Sequence, residues 1–141
     1  MEKSIGFEKI RTAIFISGTG SNFKNLIKFS KRKKSPIKII LVISNNVAAK
    51  GLRYASKNKI KKKIFKFKNK KDDEKLILKY LNRNKIKLIC LAGFMKILSK
   101  NFLRKYNGPI LNIHPSLLPK YKGLNTHERV LKNKEKFSGC S

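Results

Sequence analysis

The sequence predicts an α/β domain with a mostly parallel sheet and helices on both faces. Three observations support this prediction. Apolar runs such as 12–17, 37–44 and 87–91 have the composition of strands that are buried on both sides. Segments with apolar residues at helical spacing separate these runs. Strands and helices therefore alternate along the chain, and this order is typical of a parallel sheet.

Each predicted strand is followed by a helix or a loop that leads to one. The strands are 12–17, 37–44, 63–67, 87–91 and 108–111, and the helices are about 21–33, 48–58, 72–81, 99–106 and 126–133. Asp72, Asp73 and Glu74 fall in the first turn of the third helix, where acidic side chains complement the helix dipole. Residues 1–11 are predicted to form a flexible extension. Residues 12–141 contain no linker and are predicted to be part of a single domain.

Composition limits the class of protein. The chain has 141 residues, enough for one domain with a core, and its apolar runs are too short to span a membrane. Residues 1–7 lack the apolar segment of a signal peptide. The two cysteines, Cys90 and Cys140, suggest neither a disulfide framework nor a zinc site. These features favour a cytoplasmic protein without a membrane partner.

The net charge of +29 arises from 36 lysines and arginines against seven acidic residues. One interpretation is a basic nucleic-acid-binding domain. However, the lysines are spread over nearly the whole chain, and the abundance of lysine, isoleucine and asparagine together can reflect coding bias. Solvated lysines on exposed faces are the preferred interpretation. We expect no specific nucleic-acid partner, although weak binding of polyanions at low salt follows in either case.

A small-residue turn, GTGSN at 18–22, connects the first strand to the first helix. The N-terminus of a helix offers free backbone N–H groups to an anion, and small residues let a phosphate approach closely. The turn lacks the third glycine of a dinucleotide site and the lysine of a nucleoside triphosphate site. The pattern favours a single phosphate, although a tight turn can need glycine for structural reasons alone.

Two polar residues, Asn112 and His114, follow the fifth strand. In extended backbone they share one face, with Ile113 on the other. An amide can hold a developing oxyanion, and an imidazole can donate to it or move a proton. Spacing alone favours a simpler role for both in satisfying loop backbone. Because parallel strands end at one edge of the sheet, loops 18–22 and 92–98 should converge there with the loop at 112–123, which favours a working site.

These loops resemble phosphoribosylglycinamide formyltransferase, a folate-dependent family of purine biosynthesis. The matching segments are ISGTGSN at 16–22, SNN at 44–46 with AAKGL at 48–52, LAGFMKILS at 91–99 and NIHPSLLPKYKG at 112–123. The resemblance extends from about Thr12 to the last residue. It implies the Rossmann-like formyltransferase fold without its C-terminal strands and closing helix.

The resemblance assigns three groups of residues. The group for the phosphate of glycinamide ribonucleotide is Gly20, Ser21 and Asn22. The group for the co-substrate 10-formyltetrahydrofolate is Met95, Lys96, Ile97, Leu98 and Asn112. The catalytic pair is Asn112 and His114, which would stabilise the oxyanion formed when the glycyl amine attacks the formyl carbon. The implied chemistry requires no metal.

One expected catalytic group has no counterpart in the chain. In the family, an aspartate follows the segment that resembles FSGCS at 137–141, where this sequence stops. That carboxylate would keep His114 charged and relay protons. We therefore interpret the chain as a fragment, the N-terminal part of a formyltransferase, and expect little or no activity from it alone.

Two other folate enzymes remain as alternatives. Methionyl-tRNA formyltransferase shares the Asn-x-His and Ser-Leu-Leu-Pro features, and the positive charge would suit tRNA. Its first turn resembles Gly-Thr-Pro, whereas this chain has Gly-Thr-Gly. Formyltetrahydrofolate hydrolase is a weaker alternative, because a hydrolase has no need of a phosphate turn. The sequence does not indicate an oligomeric state.

Overall fold

A computed structural model describes residues 8–141. These residues form two units, the first ending at Leu111 and the second covering Asn112–Ser141. Residues 1–7 of the predicted extension lie outside the described residues, and the first strand begins at Ile10, two residues earlier than predicted. In the described part of the chain, no helix is both long enough and apolar enough to cross a bilayer.

Strands and helices alternate as the sequence predicts. The strands are β1 (Ile10–Ile16), β2 (Ile37–Ser44), β3 (Lys61–Ile64), β4 (Leu88–Leu91) and β5 (Ile110–Asn112). The helices are α1 (Ser21–Ser30), α2 (Leu52–Lys57), α3 (Lys70–Arg83), α4 (Lys100–Lys105) and α5 (Thr126–Lys132). The order in the sheet is β3-β2-β1-β4-β5, and the pairs β1–β2, β1–β4 and β2–β3 are parallel. The predicted α/β fold with a parallel sheet is confirmed.

The central strand β1 is buried on both faces. Ile14 and Ile16 belong to one core cluster, which includes residues of α1 and α2. Ala13 and Phe15 belong to the other, which includes residues of α3 and α4. Burial of one large apolar side chain stabilises a fold by about 1.5–3 kcal/mol. The continuous apolar run of β1 is therefore explained by two cores, one on each face of the sheet.

Strand β3 lies two to three residues earlier than the predicted 63–67. Its position is set by pairing with β2, in which Lys61 is opposite Leu41. The Phe65 N–H still donates to the Ser44 carbonyl at 2.9 Å, but Phe67 has φ 56°, outside the extended region. The side chains of β3 are all exposed. Lysines on such an edge strand oppose pairing with other chains.

The dipole explanation is wrong for one of the three acidic residues in α3. Asp72 and Asp73 lie in the first turn, as predicted. Glu74 is buried, and its carboxylate accepts hydrogen bonds from the Ser99 N–H at 2.8 Å and from the Ser99 hydroxyl. The Ser99 hydroxyl in turn accepts from the Phe102 N–H at 3.0 Å and caps α4. Glu74 therefore fixes the start of α4 against α3.

Tyr106 is a buried tyrosine whose hydroxyl has no hydrogen-bond partner among the described residues. Burial raises its pKa to about 12, and the neighbouring Cys90 adds a smaller effect in the same direction. Burial also raises the pKa of the Cys90 thiol. Both groups are therefore neutral at physiological pH, and Cys90 is a core residue, in agreement with its apolar sequence context.

We predict that Tyr106→Phe raises the free energy of unfolding by about 1 kcal/mol at pH 7, because it removes a buried hydroxyl that makes no hydrogen bond. The stability advantage of the variant should grow at alkaline pH. Below pH 10 tyrosine is protonated in both states, whereas between its ordinary pKa of 10.0 and the folded value of about 12 only the unfolded chain ionises at this position. Wild-type stability should therefore fall more steeply than that of the variant as the pH rises through this interval.

Urea unfolding of both proteins at pH 7 and pH 11 measures these differences. Tyr54→Phe is the matched control, because Tyr54 is only partly buried. Equal pH dependence in the wild type and Tyr106→Phe would contradict the prediction.

Candidate active site

The turn between β1 and α1 leaves a helix N-terminus open to an anion. Gly20 is the residue before the helix and has a left-handed conformation with φ 77°. Its carbonyl accepts the Lys24 N–H at 2.8 Å, but no side chain caps the first turn and no acidic residue lies in it. The first N–H groups of α1, including those of Ser21 and Asn22, therefore have no partner within the helix. These groups suit a phosphate.

A close contact with the start of α2 fixes this turn. The Gly51 N–H donates to the Gly18 carbonyl at 3.0 Å. A Cβ atom on Gly20 would lie 2.5 Å from the Gly51 Cα atom, and one on Gly51 would lie 2.9 Å from Cδ1 of Ile16. A side chain at Gly20 would clash with backbone, and one at Gly51 would crowd the Gly20 Cα atom at 3.0 Å. The two backbones can meet only because both positions are glycine.

We predict that Gly20→Ala lowers the free energy of unfolding by at least about 2 kcal/mol, since it combines a left-handed backbone with a steric clash. Gly18→Ala is the matched control, because a Cβ atom there meets nothing within 4 Å. It should change stability by less than about 1 kcal/mol. Chemical denaturation measures both variants, and equal effects of the two substitutions would refute the proposed tight packing.

Ser17 connects the ends of three neighbouring strands. Its hydroxyl donates to Oδ1 of Asn45, after β2, at 2.5 Å. The same oxygen accepts from the Met95 N–H, after β4, at 2.7 Å. Its carbonyl accepts from Nδ2 of Asn46 at 3.2 Å. The turn at 18–22 and the loop at 92–98 therefore lie side by side in the first unit.

The loop at 92–98 combines an anchored base with exposed side chains. The Phe94 ring packs edge-on against Phe15, with 5.3 Å between ring centroids, and against Phe67 at 5.7 Å. Met95 is 60% exposed and Ile97 is 79% exposed. Lys96 is also exposed, and Leu98 is half-buried. Exposed apolar groups beside free loop backbone suit a flat organic ligand with a polar edge.

In the second unit, His114 is held through its ring and its backbone. Its Nε2 atom lies 2.9 Å from the carbonyl oxygen of Tyr121. A carbonyl only accepts, so Nε2 carries the hydrogen, and Nδ1 is the free acceptor of the neutral ring. The His114 N–H and carbonyl both pair with Ser141, at 2.7 and 2.9 Å, in the reciprocal pattern of antiparallel strands. Asn112, the last residue of β5, is exposed.

Tyr121 organises the loop around His114. Its carbonyl accepts from the ring of His114, its hydroxyl donates to Glu135 at 2.8 Å, and the Arg129 guanidinium lies 5.5 Å from its ring centroid. The hydrogen bond from Tyr121, followed by that from Lys120, lowers the pKa of Glu135. The hydrogen bond to Glu135 raises the pKa of Lys120. The backbone carbonyl of Tyr121 is therefore the group that orients the His114 ring in this unit.

The candidate residues divide between the two units. The turn with Gly20 and the loop with Met95 share one edge of the sheet in the first unit, and Asn112 and His114 belong to the second unit. Ser17 and Tyr121 lie in the matching motifs, but the sequence predicts no role for either residue. Ser17 had a weak signal, as the polar residue that ends the predicted buried strand at 12–17. Within residues 8–141, no group of three or more histidine, cysteine, aspartate or glutamate side chains could hold a metal ion.

Comparison with known proteins identifies the family. Residues 10–141 match the family model described as Formyl transferase. The chain belongs to the formyl transferase family. A phosphoribosylglycinamide formyltransferase from Haemophilus influenzae is 43% identical over 124 residues, which are 86% of this chain and 58% of that protein. The trifunctional purine biosynthetic protein adenosine-3 of Bos taurus is 43% identical over 141 residues, which are 98% of this chain and 14% of that protein.

A solved structure supports the same assignment. The phosphoribosylglycinamide formyltransferase from Brucella melitensis has a TM-score of 0.86 and 43% identity, and the match covers 94% of this chain and 71% of that chain. The resemblance found in the sequence is thereby confirmed, together with its fold. These relatives do not favour methionyl-tRNA formyltransferase. This chain spans only part of the length of each relative, 14% and 58% for the two described above.

Proposed function

We propose that the protein transfers a formyl group from 10-formyltetrahydrofolate to the amine of glycinamide ribonucleotide in purine biosynthesis. One observation carries the proposal: the bond from the Met95 N–H to the Ser17 hydroxyl, which fixes the folate-type loop beside the phosphate-type turn. Relatives at 43% identity are named phosphoribosylglycinamide formyltransferases. The proposed site residues supply phosphate contacts, folate contacts and an imidazole–amide pair, but not the carboxylate that the family resemblance implies.

The proposed phosphate ligands are Gly20, Ser21 and Asn22. The first turn of α1 is uncapped and free of acidic residues, so its N–H groups and the positive end of the helix dipole can meet the phosphate. The contact between Gly20 and Gly51 holds the turn in place without any ligand. A preformed site of this kind binds without a cost for ordering the loop.

The proposed folate ligands are Met95, Lys96, Ile97, Leu98 and Asn112. The exposed Met95 and Ile97 side chains offer apolar contact to a ring, and the backbone of the same loop offers donors and acceptors to its polar edge. Lys96 is exposed and can approach an acidic group of the ligand. Phe94 holds the base of the loop in the core.

Asn112 and His114 are the proposed catalytic residues. The glycyl nitrogen attacks the formyl carbon, an oxyanion forms, and the C–N bond to folate then breaks. One proton leaves the attacking amine, and one joins the folate nitrogen. The hydrogen bond from Nε2 of His114 to Tyr121 leaves Nδ1 for this chemistry. In the protonated ring, Nδ1–H can donate to the oxyanion beside the Asn112 amide. The Tyr121 carbonyl carries only a partial negative charge and cannot relay a proton.

Titration calorimetry tests whether the 141-residue chain binds the two proposed substrates. Glycinamide ribonucleotide and 10-formyltetrahydrofolate should each bind. Asn22→Asp places a negative charge beside the phosphate and should weaken ribonucleotide binding at least about tenfold, by analogy with other like-charge contacts. Folate binding should not change.

Asn25→Asp is the matched control, because Asn25 is exposed on the same helix about one turn further on. It should alter neither affinity by more than about twofold, since helix-terminal charge effects fall off within one turn. Equal effects of the two substitutions, or no binding of the ribonucleotide, would overturn the phosphate assignment.

Turnover with glycinamide ribonucleotide and with charged initiator tRNA completes the test. We expect little or no activity of the 141-residue chain with either acceptor, because the hydrogen-bond partner of the His114 ring in the described residues is the Tyr121 carbonyl and not a carboxylate. Robust turnover with the ribonucleotide would show that this carboxylate is dispensable. Turnover with the tRNA would instead support the methionyl-tRNA formyltransferase alternative.

A further inference from the structure

Ser17 has contacts that none of the assigned roles explains. Its hydroxyl is used twice, as donor to Asn45 and as acceptor from the Met95 N–H. Its backbone carbonyl accepts from Asn46. Three polar atoms from the two loops after β2 and β4 thus meet at one serine. A serine required only to end β1 would need none of the bonds that its hydroxyl makes.

The loop at 92–98 has few fixed points along its backbone. At its start, the Ala92 N–H donates to the Phe15 carbonyl at 2.8 Å, which continues the sheet. After its end, the Ser99 N–H donates to the buried Glu74 at 2.8 Å. Between these two points, the Met95 N–H donates to the Ser17 hydroxyl, and no other backbone hydrogen bond of the loop is found among the described residues. This bond therefore fixes the middle of the loop, next to the most exposed side chains.

Asn45, which follows β2, sets the direction of the Ser17 hydroxyl. Because Oδ1 of Asn45 is an acceptor, the hydroxyl hydrogen must point to it, and this leaves a lone pair of the oxygen for Met95. Asn46 holds the Ser17 backbone in addition. The end of β2 therefore orients the serine, and the serine orients the loop after β4.

We propose that Ser17 is a positioning residue, which holds the Met95 backbone and the loop at 92–98 in the conformation that binds the folate before the folate arrives. The inference rests on the proposed function, because that function supplies the ligand of the loop. A loop held in its bound conformation loses less conformational freedom on binding, so affinity rises without an added contact to the ligand. Ser17 itself need not touch the folate.

Three variants of the 141-residue chain test this proposal. Ser17→Ala removes the hydroxyl that accepts from the Met95 N–H, whereas Ser17→Thr keeps a hydroxyl at this position. Ser30→Ala is the matched control, since among residues 8–141 the Ser30 hydroxyl bonds the Ile27 carbonyl at the end of α1 and no group of the loop at 92–98. Calorimetry with 10-formyltetrahydrofolate and, separately, with glycinamide ribonucleotide gives both affinities for each protein.

Ser17→Ala should weaken folate binding about tenfold, the effect of one hydrogen bond lost from a preorganised site. It should change ribonucleotide binding by less than about twofold, because the turn at 18–22 is held separately by Gly51. Ser17→Thr should recover most of the folate affinity, and Ser30→Ala should match the wild type. A merely structural role would weaken both ligands together, and this result would overturn the proposal. Unchanged folate binding in Ser17→Ala would overturn it as well.

Amide hydrogen exchange provides a readout without ligand. The Met95 amide should exchange slowly in the wild type and in Ser17→Thr and faster in Ser17→Ala, whereas the amides of β1 should keep their protection. Equal exchange of Met95 in all variants would contradict the proposed hold on the loop. If the wild type binds no folate although Met95 is protected, the proposed function fails at its co-substrate, and the assignment of Ser17 to folate binding falls with it.

Discussion

The pairing of β1 between β2 and β4 is the constraint on which the rest of the first unit depends. Because β1 is buried on both faces and hydrogen-bonded on both edges, its position is fixed. All three strands run parallel, so their carboxyl ends lie at the same edge, and the loops that follow them become neighbours. Ser17, at the end of β1, is therefore close enough for its short side chain to contact the loops after β2 and β4. The turn and the loop acquire their arrangement from the sheet and not from a ligand.

The sequence predicts the features that depend on local patterns. Both faces of β1 could be predicted as buried from its continuous apolar run, and the start of α1 from the small residues of the turn. The bounds of β3 could not, because its register with β2 is fixed by Lys61 opposite Leu41 and not by its own composition. The contact of Glu74 with Ser99 could not be predicted either, because Ser99 lies 25 residues further along the chain. From its position alone, Glu74 is expected to complement the helix dipole. Long-range polar contacts leave no periodic pattern in a sequence.

The candidate site follows the same division. The motifs at Gly20, Met95 and His114 could be found from residue types and from the family resemblance. The groups that hold these motifs could not be found in this way. A serine hydroxyl such as that of Ser17 and a backbone carbonyl such as that of Tyr121 occur at many positions in the chain, so the sequence does not mark these two as special. Nor could the sequence show that the partner of His114 is a carbonyl, which fixes the hydrogen on Nε2 and leaves Nδ1 free. How His114 is placed relative to the phosphate turn stays a prediction, as do the roles of the site residues.

The most direct measurement is a crystal structure of the chain with glycinamide ribonucleotide and tetrahydrofolate bound together. We expect the phosphate at hydrogen-bond distance, about 3 Å, from the backbone N–H groups at the start of α1. The folate ring should lie against Met95 and Ile97, and the imidazole of His114 should lie next to the glycyl amine. A phosphate bound elsewhere, or a His114 ring remote from both ligands, would contradict the proposed site.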